Sequence, residues 1–266
     1  MKNRELYYYC GRNNKHDYIA TPVSNIAISG GKGSGKTYFL TNLIVRLIME
    51  CNPREVRLHL YEFDKPQLDN WTEAVSGTRV IPQMSSYDSF RDKDGNIRYE
   101  KIAEKMNELK ASVSIKMDAM SDVGGVGISN IDSFNWERNI YIIENLDKII
   151  CDDNPYVDDI VNNISYVIKH GESVGVYIVA TMTSYDLVTW YMPTITDVST
   201  KVCLKQTSNE SIVMFGDNRA NTQLNRYGDC FLLRDKEVEH LYVPFYPDTW
   251  IRKFIRYYGV KNNNEV

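Results

Sequence analysis

GGKGSGKT, residues 30–37, is the stretch of sequence that decides the fold. It fits the phosphate-binding pattern G-x-x-x-x-G-K-[ST] at every fixed position. A strand-like run, NIAIS, precedes it at residues 25–29, and a helical pattern, YFLTNLIVRLI, follows it at residues 38–48. A strand, a glycine-rich loop and a helix in this order predict a loop whose backbone N–H groups surround a phosphate. The alternative is a glycine-rich turn that meets the pattern by chance.

The residue types in this loop explain its expected chemistry. Glycines let the backbone curl around a β-phosphate, Lys36 is predicted to reach the β- and γ-phosphates, and the Thr37 hydroxyl is predicted to join the shell of a magnesium ion. We therefore predict ATP and Mg²⁺ as cofactors. The predicted nucleotide-binding residues are Gly30, Gly31, Lys32, Gly33, Ser34, Gly35, Lys36 and Thr37.

Length and composition narrow the class of protein. The chain has 266 residues, 43% hydrophobic and 25% charged, with a net charge of -4, which is typical of a soluble domain and lacks the basic excess of nucleic-acid-binding proteins. No apolar run approaches the roughly 18 residues of a membrane span, and the N-terminus has no signal-peptide pattern. The five scattered cysteines are typical of reduced cytosolic thiols. These features predict a cytoplasmic protein that meets a membrane only through a larger assembly.

Short apolar runs alternate with longer helical patterns, which predicts an α/β fold with a mainly parallel sheet and helices on both faces. We expect helices from residue 36 to about 52, over 99–120 and over 157–170, and little order over 121–135. The domain boundaries are predicted as a lead-in segment (1–20), one domain (21–260) and a frayed tail (261–266). Strands are expected at residues 25–29, 57–63, 79–81, 140–143, 176–181, 200–204 and 229–233.

Several further stretches, in order along the chain, resemble the motor domain of the FtsK/SpoIIIE family, within the wider class of FtsK/HerA ring-forming ATPases. The resemblance implies a RecA-like P-loop NTPase fold and assembly into hexameric rings. The stretches are RLHLYEFDKPQL (57–68), GVGISNIDSFN (125–135), HGESVGVYIVATMTS (170–184), STKVCLKQTSNESIVMFG (199–216) and YGDCFLL (227–233).

The stretch RNIYIIENLDKII, residues 138–150, departs from the family at its catalytic position. Glu144 and Asn145 stand where the family has Asp-Glu. Glu144 keeps the carboxylate, so we predict Thr37 and Glu144 as the metal-binding residues. Asn145 cannot accept a proton from an attacking water, so the base position is degenerate. Asp147 replaces that base only if its loop bends inward; the alternative for Asp147 and Lys148 is an exposed loop.

The resemblance also suggests the remaining catalytic group. Together with Lys36, Glu144 and the degenerate Asn145, Thr181 is a candidate sensor of the γ-phosphate. The alternative is that Thr181 is simply a β-branched residue that ends a strand. Glu172 stands where the family has an arginine, which removes one positive group that was expected near nucleotide or a neighbouring subunit.

The segment IENLDKI, residues 143–149, resembles the terminal ATPase domain of the EssC/EccC proteins of type VII secretion. That resemblance implies a secreted protein substrate or neighbouring ATPase modules as partners. Two alternatives stay open: a DNA-translocating ATPase of a conjugative element, phage or packaging system, and a nucleotide-binding regulatory module without hydrolysis. The net charge disfavours DNA as a partner, because neutralisation of phosphates supplies most sequence-independent affinity for DNA.

Overall fold

The structure is a computed structural model that describes residues 6–63, 68–77, 79–123 and 136–261. The family-like residues Asp64, Lys65 and Pro66 lie outside this range. The prediction of little order over residues 121–135 is wrong for residues 121–123, which end a helix, and its remainder, 124–135, lies outside this range. The predicted frayed tail, 261–266, lies outside it from residue 262 onward.

The described residues form strands β1 (Tyr7–Arg12), β2 (Tyr18–Pro22), β3 (Ile26–Ser29), β4 (Val56–Glu62), β5 (Arg79–Val80), β6 (Met84–Ser89), β7 (Arg138–Glu144), β8 (Val176–Met182), β9 (Thr200–Leu204), β10 (Asp229–Arg234), β11 (Glu237–Tyr242) and β12 (Val260–Lys261). In this part of the chain, ten strands form one sheet in the order β2-β1-β11-β10-β9-β3-β8-β7-β4-β6.

One half of the sheet is parallel and carries the phosphate loop. Strands β9, β3, β8, β7, β4 and β6 run parallel to one another. Strands β10, β11, β1 and β2 continue the sheet in antiparallel pairs. Because parallel strands end at the same edge, β3, β4, β7, β8 and β9 bring their last residues together there. We call this edge the site edge. The predicted mainly parallel central sheet is confirmed.

The helices cover both faces of this sheet, as predicted. One apolar core contains α1 and α9, and a second core on the other side contains α3, α5 and α6. The helices are α1 (Lys36–Glu50), α2 (Thr72–Ser76), α3 (Tyr99–Val123), α4 (Asp147–Ile150), α5 (Val157–His170), α6 (Tyr185–Tyr191), α7 (Ser208–Phe215), α8 (Arg219–Thr222) and α9 (Asp248–Tyr258).

Helix α5 shows why the helical predictions succeeded. It buries one stripe, at residues 157, 160, 163, 164, 167 and 168, and leaves the opposite face polar. Asp158 and Asp159 lie in its first turn, and Lys169 and His170 lie in its last, where these charges favour the helix dipole. The apolar pattern and the charges at both helix ends indicate the same span, so the predicted helix over 157–170 matches the structure.

The antiparallel part of the sheet differs from the strand predictions. Strands β1 and β2 occupy much of the stretch predicted as a lead-in segment, and Tyr8 is fully buried there. The amide of Asn42 on α1 donates to the Tyr9 carbonyl at 2.9 Å, which ties β1 to the helix after the phosphate loop. The predicted strand at 79–81 pairs with β12 in a separate sheet, because α9 carries β12 back to it. These pairings join distant segments, so local patterns do not reveal them.

Candidate nucleotide-binding site

The phosphate loop lies at the centre of the site edge, between β3 and α1. Gly35 has a φ of 105° at the N-terminus of α1, a backbone conformation that strongly favours glycine. A side-chain carbon on Gly30 would lie 2.4 Å from the Ser34 hydroxyl, so the loop can close this tightly only with glycine there. The Gly31 N–H donates to the Lys205 carbonyl at 2.9 Å and anchors the loop to the residue after β9.

Lys36 is buried at the base of the loop. Its Nζ donates to the Gly30 carbonyl at 2.6 Å, to the Gly31 carbonyl at 3.3 Å and to the Thr183 hydroxyl at 3.3 Å. Burial lowers the pKa of Lys36, while the charges of Asp147 and Glu144 oppose that shift. The ammonium group is therefore held by loop carbonyls, where phosphate oxygens would be stronger acceptors.

Thr37 and Glu144, the two predicted metal-binding residues, are in direct contact. The Thr37 hydroxyl donates to Glu144 Oε1 at 3.0 Å. Glu144 is only 1% exposed, and its Oε2 receives no hydrogen bond from the residues that the structure describes. Burial first, and the neighbouring Glu62 carboxyl second, raise the pKa of Glu144 to about 8. A divalent cation here would replace that proton and would satisfy the free carboxylate oxygen.

Glu62 is a site residue that sequence reasoning did not find. It ends β4 and pairs in register with Glu144 at the end of β7, and it is fully buried. Its Oε1 accepts a hydrogen bond from the Leu68 N–H at 3.0 Å, and its Oε2 accepts one from the Tyr87 hydroxyl. In the sequence, the apolar run before Glu62 predicts only that a strand ends there. The pairing of β4 with β7 depends on the strand order of the sheet.

Asn145 occupies a backbone conformation that most side chains avoid. Its φ is 57°, and asparagine tolerates this left-handed region better than most residues. The Asn145 N–H donates to the Thr181 hydroxyl at 2.9 Å, and the Leu146 N–H donates to the Thr181 carbonyl at 2.8 Å. Thr181 thus holds the turn between β7 and α4. The sensor role of Thr181 and the degenerate-base role of Asn145 stay predictions.

The loop after Asn145 bends inward at Asp147. This side chain is 6% exposed, and its Oδ1 accepts a hydrogen bond from the Thr183 N–H at 3.1 Å. Lys148 is exposed, so the expected exposed loop describes Lys148 and not Asp147. Thr183, whose hydroxyl also accepts a hydrogen bond from Lys36, is a second site residue that was not predicted.

A further polar pair lies on the other side of the loop. The Ser29 hydroxyl donates to Gln206 Oε1 at 2.8 Å, which joins the ends of β3 and β9. Within the described residues, Gln206 Nε2 and Ser34 Oγ are buried without a hydrogen-bond partner, as is Glu144 Oε2. Two donors for phosphate oxygens and one acceptor for a cation around a glycine-rich loop fit a nucleotide with Mg²⁺.

Three further charged residues have other surroundings in the structure. Glu172 Oε1 accepts a hydrogen bond from the Asn25 N–H at 2.6 Å, before β3 begins and therefore at the edge of the sheet opposite the site edge. Arg219 is paired with Asp217, whose Oδ2 lies 2.6 Å from Arg219 Nη2. Arg226 lines a cavity of about 1040 Å³.

The described residues contain no helix that is long and apolar enough to cross a membrane.

Comparison with known proteins adds sequence and fold relationships to this geometry. The profile of the FtsK/SpoIIIE family matches residues 8–74, which include β1, the phosphate loop and β4. The type VII secretion system protein EssC of Staphylococcus aureus (strain MRSA252) is 25% identical over 163 residues, which is 59% of this chain and 10% of EssC. The chain therefore spans about a tenth of that relative.

Two solved structures share the fold over nearly the whole chain. The cytoplasmic domain of the Thermomonospora curvata type VII secretion ATPase EccC superposes with a TM-score of 0.77 and 14% identity, over 97% of this chain and 32% of the other. The pCW3 conjugation coupling protein TcpA superposes with a TM-score of 0.73 and 13% identity, over 96% of this chain and 71% of the other. Identities this low speak for the fold alone. By sequence over residues 8–74, and by fold over almost its whole length, this chain bears the resemblance to the FtsK/SpoIIIE family and to the EssC/EccC ATPases that its motifs predicted.

Proposed function

We propose that this chain is an ATP-binding motor module of the FtsK/SpoIIIE type that acts with Mg²⁺ in a type VII protein secretion machine. The observation that carries the proposal is the contact between Thr37 and Glu144 beside a glycine-rich loop that buries Lys36. Unpartnered buried polar atoms surround the same loop in the described residues. A buried charged cluster with free donors and acceptors needs a charged ligand to satisfy it.

Each of these residues has a definite task in this proposal. Loop N–H groups and Lys36 bind the phosphates, and Thr37 and the ionised Glu144 hold Mg²⁺. When bound, the ion neutralises charge on the β- and γ-phosphates. Lys36 leaves the carbonyls of Gly30 and Gly31 for phosphate oxygens, and the loop keeps its shape through its link to Lys205.

Turnover is slow in this proposal, because the base position holds an amide. Asn145 has no basic group to accept a proton. Asp147 is the nearest substitute, since its carboxylate is buried beside Thr183 and its charge acts on Lys36. The module thus binds nucleotide well and hydrolyses it with a displaced, weaker base.

The proposed partners are a secreted protein or neighbouring ATPase modules at the cytoplasmic side of a membrane machine. Sequence similarity to EssC supports this choice. Helix α6 begins two residues after Thr183 and exposes Trp190 by 82%, together with Leu187 and Tyr191 on one helical face. A large exposed apolar surface of this kind is typical of a protein contact. A partner at this face would lie next to the phosphate-binding residues, as in a ring.

Titration calorimetry with MgATP tests the nucleotide-binding role. We expect Lys36→Ala to weaken binding at least about 100-fold, because charge-assisted hydrogen bonds to phosphate contribute several kcal/mol in total. Lys253→Ala is the matched control, since Lys253 is an exposed lysine on α9, and it should change the affinity by less than about threefold. Wild-type protein that binds neither ATP nor ADP would contradict the proposal.

A hydrolysis assay separates the candidate cargoes. This chain shares its fold with the conjugation coupling protein TcpA, so the DNA-translocating alternative is tested as well. Duplex DNA and a type VII substrate protein are each added to wild type and to Lys36→Ala. Stimulation by the protein alone supports secretion, and stimulation by DNA alone supports DNA translocation. Equal background rates under all conditions would leave a regulatory, non-hydrolysing module.

A further inference from the structure

The site edge has a metal side and an opposite side, separated by the phosphate loop. Glu144 ends β7 and Thr183 follows β8, and both strands lie to one side of β3. Strands β9, β10 and β11 lie to the other side. Thr37 contacts Glu144, so Mg²⁺ and the γ-phosphate belong on the β7–β8 side. A phosphate chain held by the loop with its γ-phosphate on that side would direct the nucleoside toward β9–β11.

Residues from β10 and β11 do reach the site edge on that side. Cys230 pairs with Leu204 at the end of β9, and Asp229 pairs with Tyr242 at the end of β11. Tyr227 and Gly228 therefore enter β10, and Val243–Phe245 leave β11, at the same edge as the phosphate loop. The Val243 N–H donates to the Gly228 carbonyl at 2.9 Å, which joins the two segments.

Three aromatic side chains are exposed in this area. Tyr38 follows Thr37 on α1, and its ring lies 4.6 Å from that of Phe245 at an angle of 69°. Tyr38 is 41% exposed, Phe245 56% and Tyr227 81%, so none of them is a core residue. A side-chain carbon on Gly35 would lie 3.8 Å from the Tyr38 ring and 3.9 Å from the Gly228 nitrogen. We call Tyr38, Tyr227 and Phe245 the aromatic platform.

We infer that the aromatic platform binds a purine base, which stacks on it while the phosphates occupy the loop. This inference rests on the proposed nucleotide-binding function and extends it to the base. Aromatic faces stack on nucleobases in water, and one such contact typically changes affinity by about 10-fold to 100-fold. A purine offers a larger face than a pyrimidine and gains more from stacking. Gly228, with a φ of 86°, lets the β10 segment approach the β11 segment closely enough to form one surface.

The experiment compares ligands that share phosphates but differ in the base. Binding of MgATP, MgCTP and magnesium tripolyphosphate is measured by calorimetry for wild type and for the double variant Tyr38→Ala/Phe245→Ala. Tyr257→Ala is the matched control, since Tyr257 is 82% exposed on α9. We expect the double variant to bind MgATP at least about 10-fold more weakly, to bind tripolyphosphate within about twofold of wild type and to lose its preference for ATP over CTP.

The outcomes distinguish the two claims. Equal loss of ATP and tripolyphosphate binding in the double variant, or no loss of either, overturns the role of the platform. Wild-type protein that binds neither ligand overturns the nucleotide-binding function itself. The double variant Tyr38→Leu/Phe245→Leu keeps apolar volume without a π face, so it controls for misfolding. If this variant binds ATP as tightly as wild type, the inference is also overturned. Unfolding curves confirm that each variant is folded.

Discussion

Glu144→Gln is expected to make the nucleotide-free protein more stable than wild type by several kcal/mol at pH 8, while the two are equally stable near pH 4.5. The pKa of Glu144 is raised to about 8 in the folded protein, by burial and by Glu62. The unfolded chain releases this proton near pH 4.5, its ordinary value. Between these values the folded state binds more protons than the unfolded state. Wild-type stability therefore falls as pH rises from about 4.5 to 8 and levels off above that.

Glutamine imitates the protonated carboxyl and has no such pH dependence. The measurement is urea unfolding of both proteins at several pH values from 5 to 9, and the quantity of interest is the difference in unfolding free energy. Glu104→Gln, at an exposed position on α3, is the control and should show no pH-dependent difference. A Glu144→Gln protein that is less stable than wild type at pH 8 would contradict the burial and charge argument.

With Mg²⁺ and ATP added, wild type should become more stable than Glu144→Gln. The ion requires an ionised Glu144, so nucleotide-dependent stabilisation of wild type should grow as pH rises through 8. Glu144→Gln should gain far less stabilisation from MgATP, because an amide is a much weaker ligand for Mg²⁺ than a carboxylate. Thermal unfolding with and without MgATP checks this, and equal shifts in both proteins would remove Glu144 from the metal site.

Asp147→Asn is expected to lower steady-state ATP hydrolysis at least about 100-fold while leaving the affinity for MgATP within about threefold. The Asp147 carboxylate is buried beside Thr183, whose hydroxyl accepts a hydrogen bond from Lys36, and in the proposed function it takes the place of the base that Asn145 does not supply. Its amide keeps the size and the acceptor oxygen that the Thr183 N–H needs, but it cannot accept a proton. Coupled-enzyme assays at saturating ATP give the rate.

The control for this prediction is Asn145→Ala, which removes an amide that cannot act as a base. It should change the hydrolysis rate by less than about threefold, although it replaces a residue suited to a φ of 57° and should cost about 1 kcal/mol of stability. The reverse result, with Asn145→Ala abolishing hydrolysis and Asp147→Asn leaving it unchanged, would show that the base is not at Asp147. If wild type shows a hydrolysis rate no higher than that of Lys36→Ala, the module does not hydrolyse ATP.

Local pattern was sufficient for the parallel part of the sheet except β6, the strand at its outer edge. Contiguous residues encode each of four elements, because their apolar spacing, glycines or end charges agree with one another: the phosphate loop, α1, α5 and β9. Among the antiparallel strands, β10 was predicted, whereas β1 and β2 were missed because they precede the motif region, and β11 was missed because it alternates weakly. Their pairing partners lie far away in sequence, so only the assembled sheet selects them.

The sequence by itself determined that a phosphate-loop pattern follows a buried strand, and it predicted that Lys36, Thr37 and Glu144 belong to one site with a degenerate base position at Asn145. Only the tertiary structure decided which other groups join them. Strand order places Glu62 beside Glu144, the bend after β7 turns Asp147 inward, and β10 and β11 bring aromatic rings to the far side of the loop. The physical reason is that parallel strands gather their ends at one edge, whereas the order of strands along that edge depends on packing between distant segments.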